Sequence, residues 1–177
     1  MTGMKTRTFI RSRAVGVAGA LLLGGCASPQ TQGSSASWAN AYPTLRELTG
    51  ASDAILVGTV QKSTPVPAVD GIPFTDATVA VKTWLKGTPA ASAITVHQTG
   101  SAARDTFVSA GDPIMEPGES SMLFVLKNSD GTYTALSGPT GRLLISGTAV
   151  EKMPETSLAE SLPGTLPELI AAVKRLL

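Results

Sequence analysis

The chain has 177 residues, with 14 Lys+Arg against 13 Asp+Glu, a single histidine and a single cysteine. One His and one Cys exclude a zinc centre built from several such ligands, and one Cys excludes an internal disulfide, so stability must come from a hydrophobic core. Four basic residues (Lys5, Arg7, Arg11 and Arg13) crowd the N-terminus; without them 10 basic residues face 13 acidic ones, a net of −3. That balance argues against nucleic acid and against electrostatic docking on anionic lipid.

Those four basic residues precede an uncharged run, "AVGVAGALLLGG", from Ala14 to Gly25. A basic opening followed by an apolar stretch of about 7–15 residues is the pattern of a secretory signal peptide, and it falls short of the roughly 20 residues that span a bilayer. There is no adjacent arginine pair, so a twin-arginine route is not supported. The run ends in "LGGC" (Leu23 to Cys26), which resembles the lipobox of bacterial lipoproteins. The resemblance implies cleavage before Cys26, a thioether from its sulfur to diacylglycerol, and a membrane partner held through the lipid anchor. Two or more acyl chains suffice for stable attachment, at about 0.8 kcal/mol per buried methylene. Residues 1–25 are thus expected to be a signal peptide, with the mature chain on the extracytoplasmic face of a cell membrane. Ala27 in place of aspartate after the cysteine permits transfer to an outer membrane.

"ASPQTQGSSASWANAYP" (Ala27 to Pro43) is uncharged and rich in Ser, Ala, Gln and Gly. Such a segment buries too little to repay ordering, so residues 26–43 read as a lipidated flexible tether, with Trp38 and Tyr42 expected to pack on the domain. A short helix follows, opened by Thr44 with Glu47 at capping-box spacing and closed near Gly50. "AILVGTVQ" (Ala54 to Gln61) is apolar on both faces, as in a central strand. In "DATVAVKTWLKG" strict alternation puts Ala77, Val79, Val81, Thr83 and Leu85 on one face and Asp76, Lys82 and Trp84 on the other. "AITVHQ" continues the pattern with Ile94 and Val96 inward. "SMLFVLKNSDGTYTAL" reads as a hairpin around Asn128 to Gly131, and "GRLLISGTAVEK" as short closing strands around Gly147.

Short strands without intervening helices predict an all-β fold: a small antiparallel OB-like barrel of five to seven strands over residues 44–152, with the short N-terminal helix. Residues 153–177 are expected to form a linker and an amphipathic helix. Thr165 and Glu168 would cap it, and Leu166, Leu169, Ile170, Val173 and Leu177 would form the stripe that docks on the barrel and closes one end.

Few residues suggest a chemistry. His97 lies on the polar side of its strand with Thr95 and Thr99, and reads as a solvated strand residue; no G-x-S-x-G elbow accompanies it. In the long connection Gly100–Ser120, Asp112, Glu116 and Glu119 could offer oxygens to calcium, but at no EF-hand spacing, so they read as a turn with solvated charges. "EPGE" fits a type II turn with Pro117 and Gly118 at its centre. "STPVPAVDGIPF" (Ser63 to Phe74) reads as a proline-stiffened loop, either a partner-binding edge or a long hairpin connection. "SGPTGR" (Ser137 to Arg142) sits between strands rather than before a helix, so it is no phosphate loop. No catalytic residues, cofactor or metal ligands are assigned.

The stretch Asp53 to Val150, through "SDAILVGTV", "VKTWLKG" with "ITV", "EPGESSMLFVL" and "SGPTGRLLI", resembles a recurring secreted or lipid-anchored bacterial β-domain. Its order also resembles the netrin-type OB barrel of tissue inhibitors of metalloproteinases. Their inhibitory cysteine is free and N-terminal, whereas Cys26 would be acylated and set apart by a tether, so the resemblance implies the fold and not protease inhibition. The expectation is a monomeric, non-enzymatic binding or accessory module with an envelope protein or ligand as partner. A cell-envelope hydrolase using loop carboxylates and a ligand- or metal-sensing domain are the alternatives.

Overall fold

A computed structural model describes residues 33–34, 40–88, 91–101, 108–109 and 111–177 of the chain. Cys26, Trp38 and the signal segment therefore lie outside the described residues. Seven strands carry the fold: β1 Ala54–Val69, β2 Ile72–Lys86, β3 Ala93–Thr99, β4 Ser120–Lys127, β5 Tyr133–Ala135, β6 Arg142–Ser146 and β7 Ala149–Lys152. Two helices, α1 Leu45–Ala51 and α2 Leu166–Lys174, flank them. Strands β1-β2-β3-β5-β4 pair in that order, and β4 returns to β1, closing a five-stranded barrel. All barrel pairings are antiparallel except β3 with β5, which run parallel and share one register pair, Val96 with Tyr133. The all-β, OB-like expectation is borne out. The β6–β7 hairpin adds to β4 outside the closed ring.

The two-sided hydrophobicity of β1 follows from its central place. Ile55 pairs with Lys86 on one side and Phe124 on the other, and the strand's successive side chains enter two different cores. Leu56 and Val60 point into the barrel with Val79, Val96, Leu123 and Val125. Ile55 and Val57 point outward with Met122 and Phe124, where Leu48 of α1 and Leu169 and Val173 of α2 cover them. Each such side chain contributes about 1.5–3 kcal/mol by leaving water, so α2 is part of the core rather than an appendage. It packs on the outer core beside α1, β2 and β7. Leu177, assigned to its apolar stripe, is 56% exposed because the helix stops at Lys174.

Helix α1 has the predicted capping box: Glu47 N donates to Thr44 Oγ1 (3.2 Å) and Thr44 N to Glu47 Oε2 (3.1 Å). Its C-terminal end is closed from β2, where Lys86 Nζ donates to the carbonyls of Thr49 (2.8 Å) and Gly50 (3.2 Å), a cation at the negative end of the helix. At α2 the Thr165 hydroxyl donates to Glu168 Oε2 (2.8 Å), but no side-chain bond to the helix backbone forms, so the expected second box is not made. Of the segment read as a tether, Gly33–Ser34 pair in parallel with Val108–Ser109, and Tyr42 packs on the outer core with its amide donating to Ser157 Oγ (2.9 Å).

Two expectations about strands need correction. "STPVPAVDGIPF" is no loop: β1 and β2 run on through it as a paired arm, with Val66 opposite Phe74 and Val69 opposite Ile72. Asp70 (φ 51°) and Gly71 (φ 78°) form the two-residue turn between them, where both centres need positive φ. Strict alternation along β2 also fails. The β1–β2 register slips at Lys82 and again at Leu85, so Trp84 comes opposite Leu56 and packs against the barrel interior. Thr83 is then exposed and Leu85 packs on the outer core. A bulge turns every following side chain to the other face. Gly58 sits at the tightest part of this crossing, where a Cβ would lie 2.5 Å from Val79 Cγ1 and 2.8 Å from the Ala80 carbonyl.

Candidate ligand-binding face

The outer wall of the barrel is unevenly covered. Helices α1 and α2 and the β6–β7 hairpin occupy the side of β1 and β4. The outward side chains of β2 and β3 lie on the opposite side, and the β1–β2 arm extends from it, with Val69 59% and Ile72 46% exposed at its tip. Beyond Val60, which exchanges backbone bonds with Gly118 and Glu119, no strand among the described residues pairs with the outer edge of β1. Pro65 and Pro67 lie on that edge and withdraw two backbone donors from it, which discourages strand addition. The arm thus presents side chains rather than an open backbone ladder.

At the root of the arm, Phe74, Asp76 and His97 form one cluster. Asp76 and His97 are directly opposite across β2 and β3, and His97 Nδ1 lies 2.6 Å from Asp76 Oδ1. Phe74 stacks on the imidazole at 4.7 Å with 20° between the planes. His97 is therefore on the expected face, but it is half-buried and partnered rather than freely solvated. The carboxylate and the stacked ring fix the orientation of the imidazole, which suits it to hydrogen-bond a ligand through its second nitrogen.

Inward of His97, the segment 112–119 is hung on the barrel by side chains that face the other way. Gln98 Nε2 donates to the Pro113 carbonyl (2.9 Å), and its Oε1 accepts from Met115 N (3.0 Å). Arg142, from the first position of β6, is 1% exposed. Its Nε donates to Glu119 Oε1 (2.8 Å) and its Nη2 to Glu119 Oε2, a two-pronged pair, while Nη1 reaches Asp112 Oδ1 (3.3 Å) and the Pro113 carbonyl. The expectation of solvated charges is corrected for two of the three carboxylates: Asp112 and Glu119 turn in to Arg142, and only Glu116 is exposed. Burial raises the Asp112 pKa above the usual aspartate range, against the lowering pull of Arg142 and of the Gln98 hydrogen bond. The "EPGE" turn is as expected, with Glu119 N donating to the Glu116 carbonyl (3.0 Å) and Gly118 at φ 92°.

"SGPTGR" forms a buried 3₁₀ turn, Gly138–Gly141, leading directly into β6. A Cβ on Gly141 would lie 2.6 Å from the Phe124 carbonyl and the Leu136 amide, so the motif serves close packing. Because β3 and β5 meet at a single register pair, they part on either side of it. On one side is a hollow of about 40 Å³ beside His97, Gln98, Asp112 and Thr134, large enough for water. On the other is a larger one, about 320 Å³, between Trp84 and Tyr133.

Sequence reading singled out His97, Asp112 and Glu119 but not Asp76, Arg142, Trp84 or Tyr133. Arg142 had a signal, a lone charge entering the apolar run "LLI". Trp84 had none, because the bulges that reorient it leave no mark in the alternation. Among the described residues no group of three or more His, Cys, Asp or Glu is placed to hold a metal ion, and no helix is long and apolar enough to cross a membrane. Compared with protein-family models and with curated proteins, the chain matches none.

Proposed function

We propose that this chain is a lipid-anchored binding module on the extracytoplasmic face of a bacterial membrane, engaging an envelope protein through its β1–β2 arm and the adjoining β2–β3 face. The single observation that carries this reading is the asymmetry of the barrel wall. One side is spent on the hydrophobic core, while the other carries an arm with two exposed apolar side chains and an ordered Phe74–His97–Asp76 cluster at its root. Strands 2 and 3 and the loop between strands 1 and 2 are where OB-type barrels take ligands in general. The proline-blocked arm favours side-chain docking over strand addition. The lipobox-like "LGGC" supports the anchor, and the mature net charge of −3 disfavours nucleic acid as the partner.

Fractionation tests the anchor. The wild-type chain is expected in the membrane fraction and Cys26→Ala in the soluble extracytoplasmic fraction. Membrane retention of Cys26→Ala contradicts lipid anchoring through that residue.

A further inference from the structure

We propose that the larger hollow between β3 and β5 binds an N-acetylated pyranose unit of a glycan. This inference adds a second site and does not rest on the protein-partner reading, since the hollow lies at the N-terminal end of β3 and the Phe74–His97 cluster towards its C-terminal end. Its volume of about 320 Å³ is within the range of small-ligand sites and suits a sugar ring. Its walls divide by chemistry. Trp84 and Tyr133 supply flat apolar surfaces with polar tips, on which the C–H face of a pyranose stacks. The Trp84 indole N–H donates to the Ala91 carbonyl (3.4 Å), which fixes the ring in position. Ala93 makes a small apolar wall that matches an acetamide methyl, while the Thr95 hydroxyl and Lys127 ammonium can hydrogen-bond sugar hydroxyls and the acetamide carbonyl. The described lining holds one cation and no carboxylate. A nucleic acid strand, which brings a phosphate at every step, would find a single ammonium to meet it.

Calorimetric titration of chitotriose into the purified full chain in detergent tests the site. The expected result is saturable 1:1 binding, weakened about tenfold by Thr95→Val and by Lys127→Ala, each the loss of about one hydrogen-bonding group, with melting temperatures unchanged. Trp84→Ala and Tyr133→Ala are both unsuitable, because each ring also packs against the barrel core. Absence of saturable binding overturns the proposal. So does binding that survives Thr95→Val and Lys127→Ala undiminished, which would place the sugar elsewhere. Equal affinity for cellotriose, which lacks the acetamide, overturns the N-acetyl assignment. None of these results bears on whether the arm docks a protein, because Val69 and Ile72 are untouched.

Discussion

Arg142 is the residue on which the most structure depends. It joins β6 to the 112–119 segment through the buried Asp112 and the partly buried Glu119. Removing its guanidinium leaves the buried Asp112 carboxylate without its cation, so Arg142→Met is expected to cost about 3–5 kcal/mol, read as a lowered urea midpoint. Arg142→Lys should recover little of this, because one ammonium cannot reproduce the forked contact with Glu119 and still reach Asp112. Asp112 gives a pH prediction. Its pKa is raised in the folded state, first by burial, so the folded chain holds this proton more tightly than the unfolded one. The stability it contributes is complete below the ordinary aspartate pKa and is lost as pH rises through the raised folded value. Urea midpoints measured across that range should fall for the wild type and fall less steeply for Asp112→Asn; equal slopes would show that Asp112 does not carry the effect.

At the scale of elements, the β1–β2 arm is the feature most exposed to error in both folding and association. Its tip is apolar and, among the described residues, no strand pairs with its outer edge beyond Val60, so Pro65 and Pro67 are all that denies a neighbouring strand two donors. Replacing both by threonine should leave the melting temperature nearly unchanged while increasing self-association, followed by light scattering against concentration. An unchanged monomer at high concentration would show that the prolines are not edge protection. The arm also marks where sequence reading stopped short. Prolines in an extended run argue against a strand, and here that rule outweighed the Asp70–Gly71 pair that signals a two-residue hairpin turn. Elements whose signal is local and strong, such as the Thr44–Glu47 box, the two-faced β1 and the turn at Asn128–Gly131, were legible. Inward carboxylates and bulges were not, because the inward turn of Asp112 and Glu119 depends on an arginine more than twenty positions away. The slip at Lys82 likewise depends on how β2 crosses β1 at Gly58.

The whole molecule is a closed barrel whose wall has two roles. The outward residues of β1 and β4 complete a second hydrophobic core with the two helices. What remains on the other side is a surface with ordered polar and aromatic groups and an apolar tip. A lipid at Cys26 would hold that surface near a membrane and raise its effective concentration towards envelope partners. The most direct test of this account places a photo-crosslinking amino acid at Ile72 on the arm and, separately, at Arg175 beside α2, in the full chain in cells. The account predicts one discrete adduct from Ile72, absent from the Arg175 position and diminished in the Cys26→Ala background. Adducts of equal strength from both positions, or none from Ile72 in the anchored chain, would contradict it.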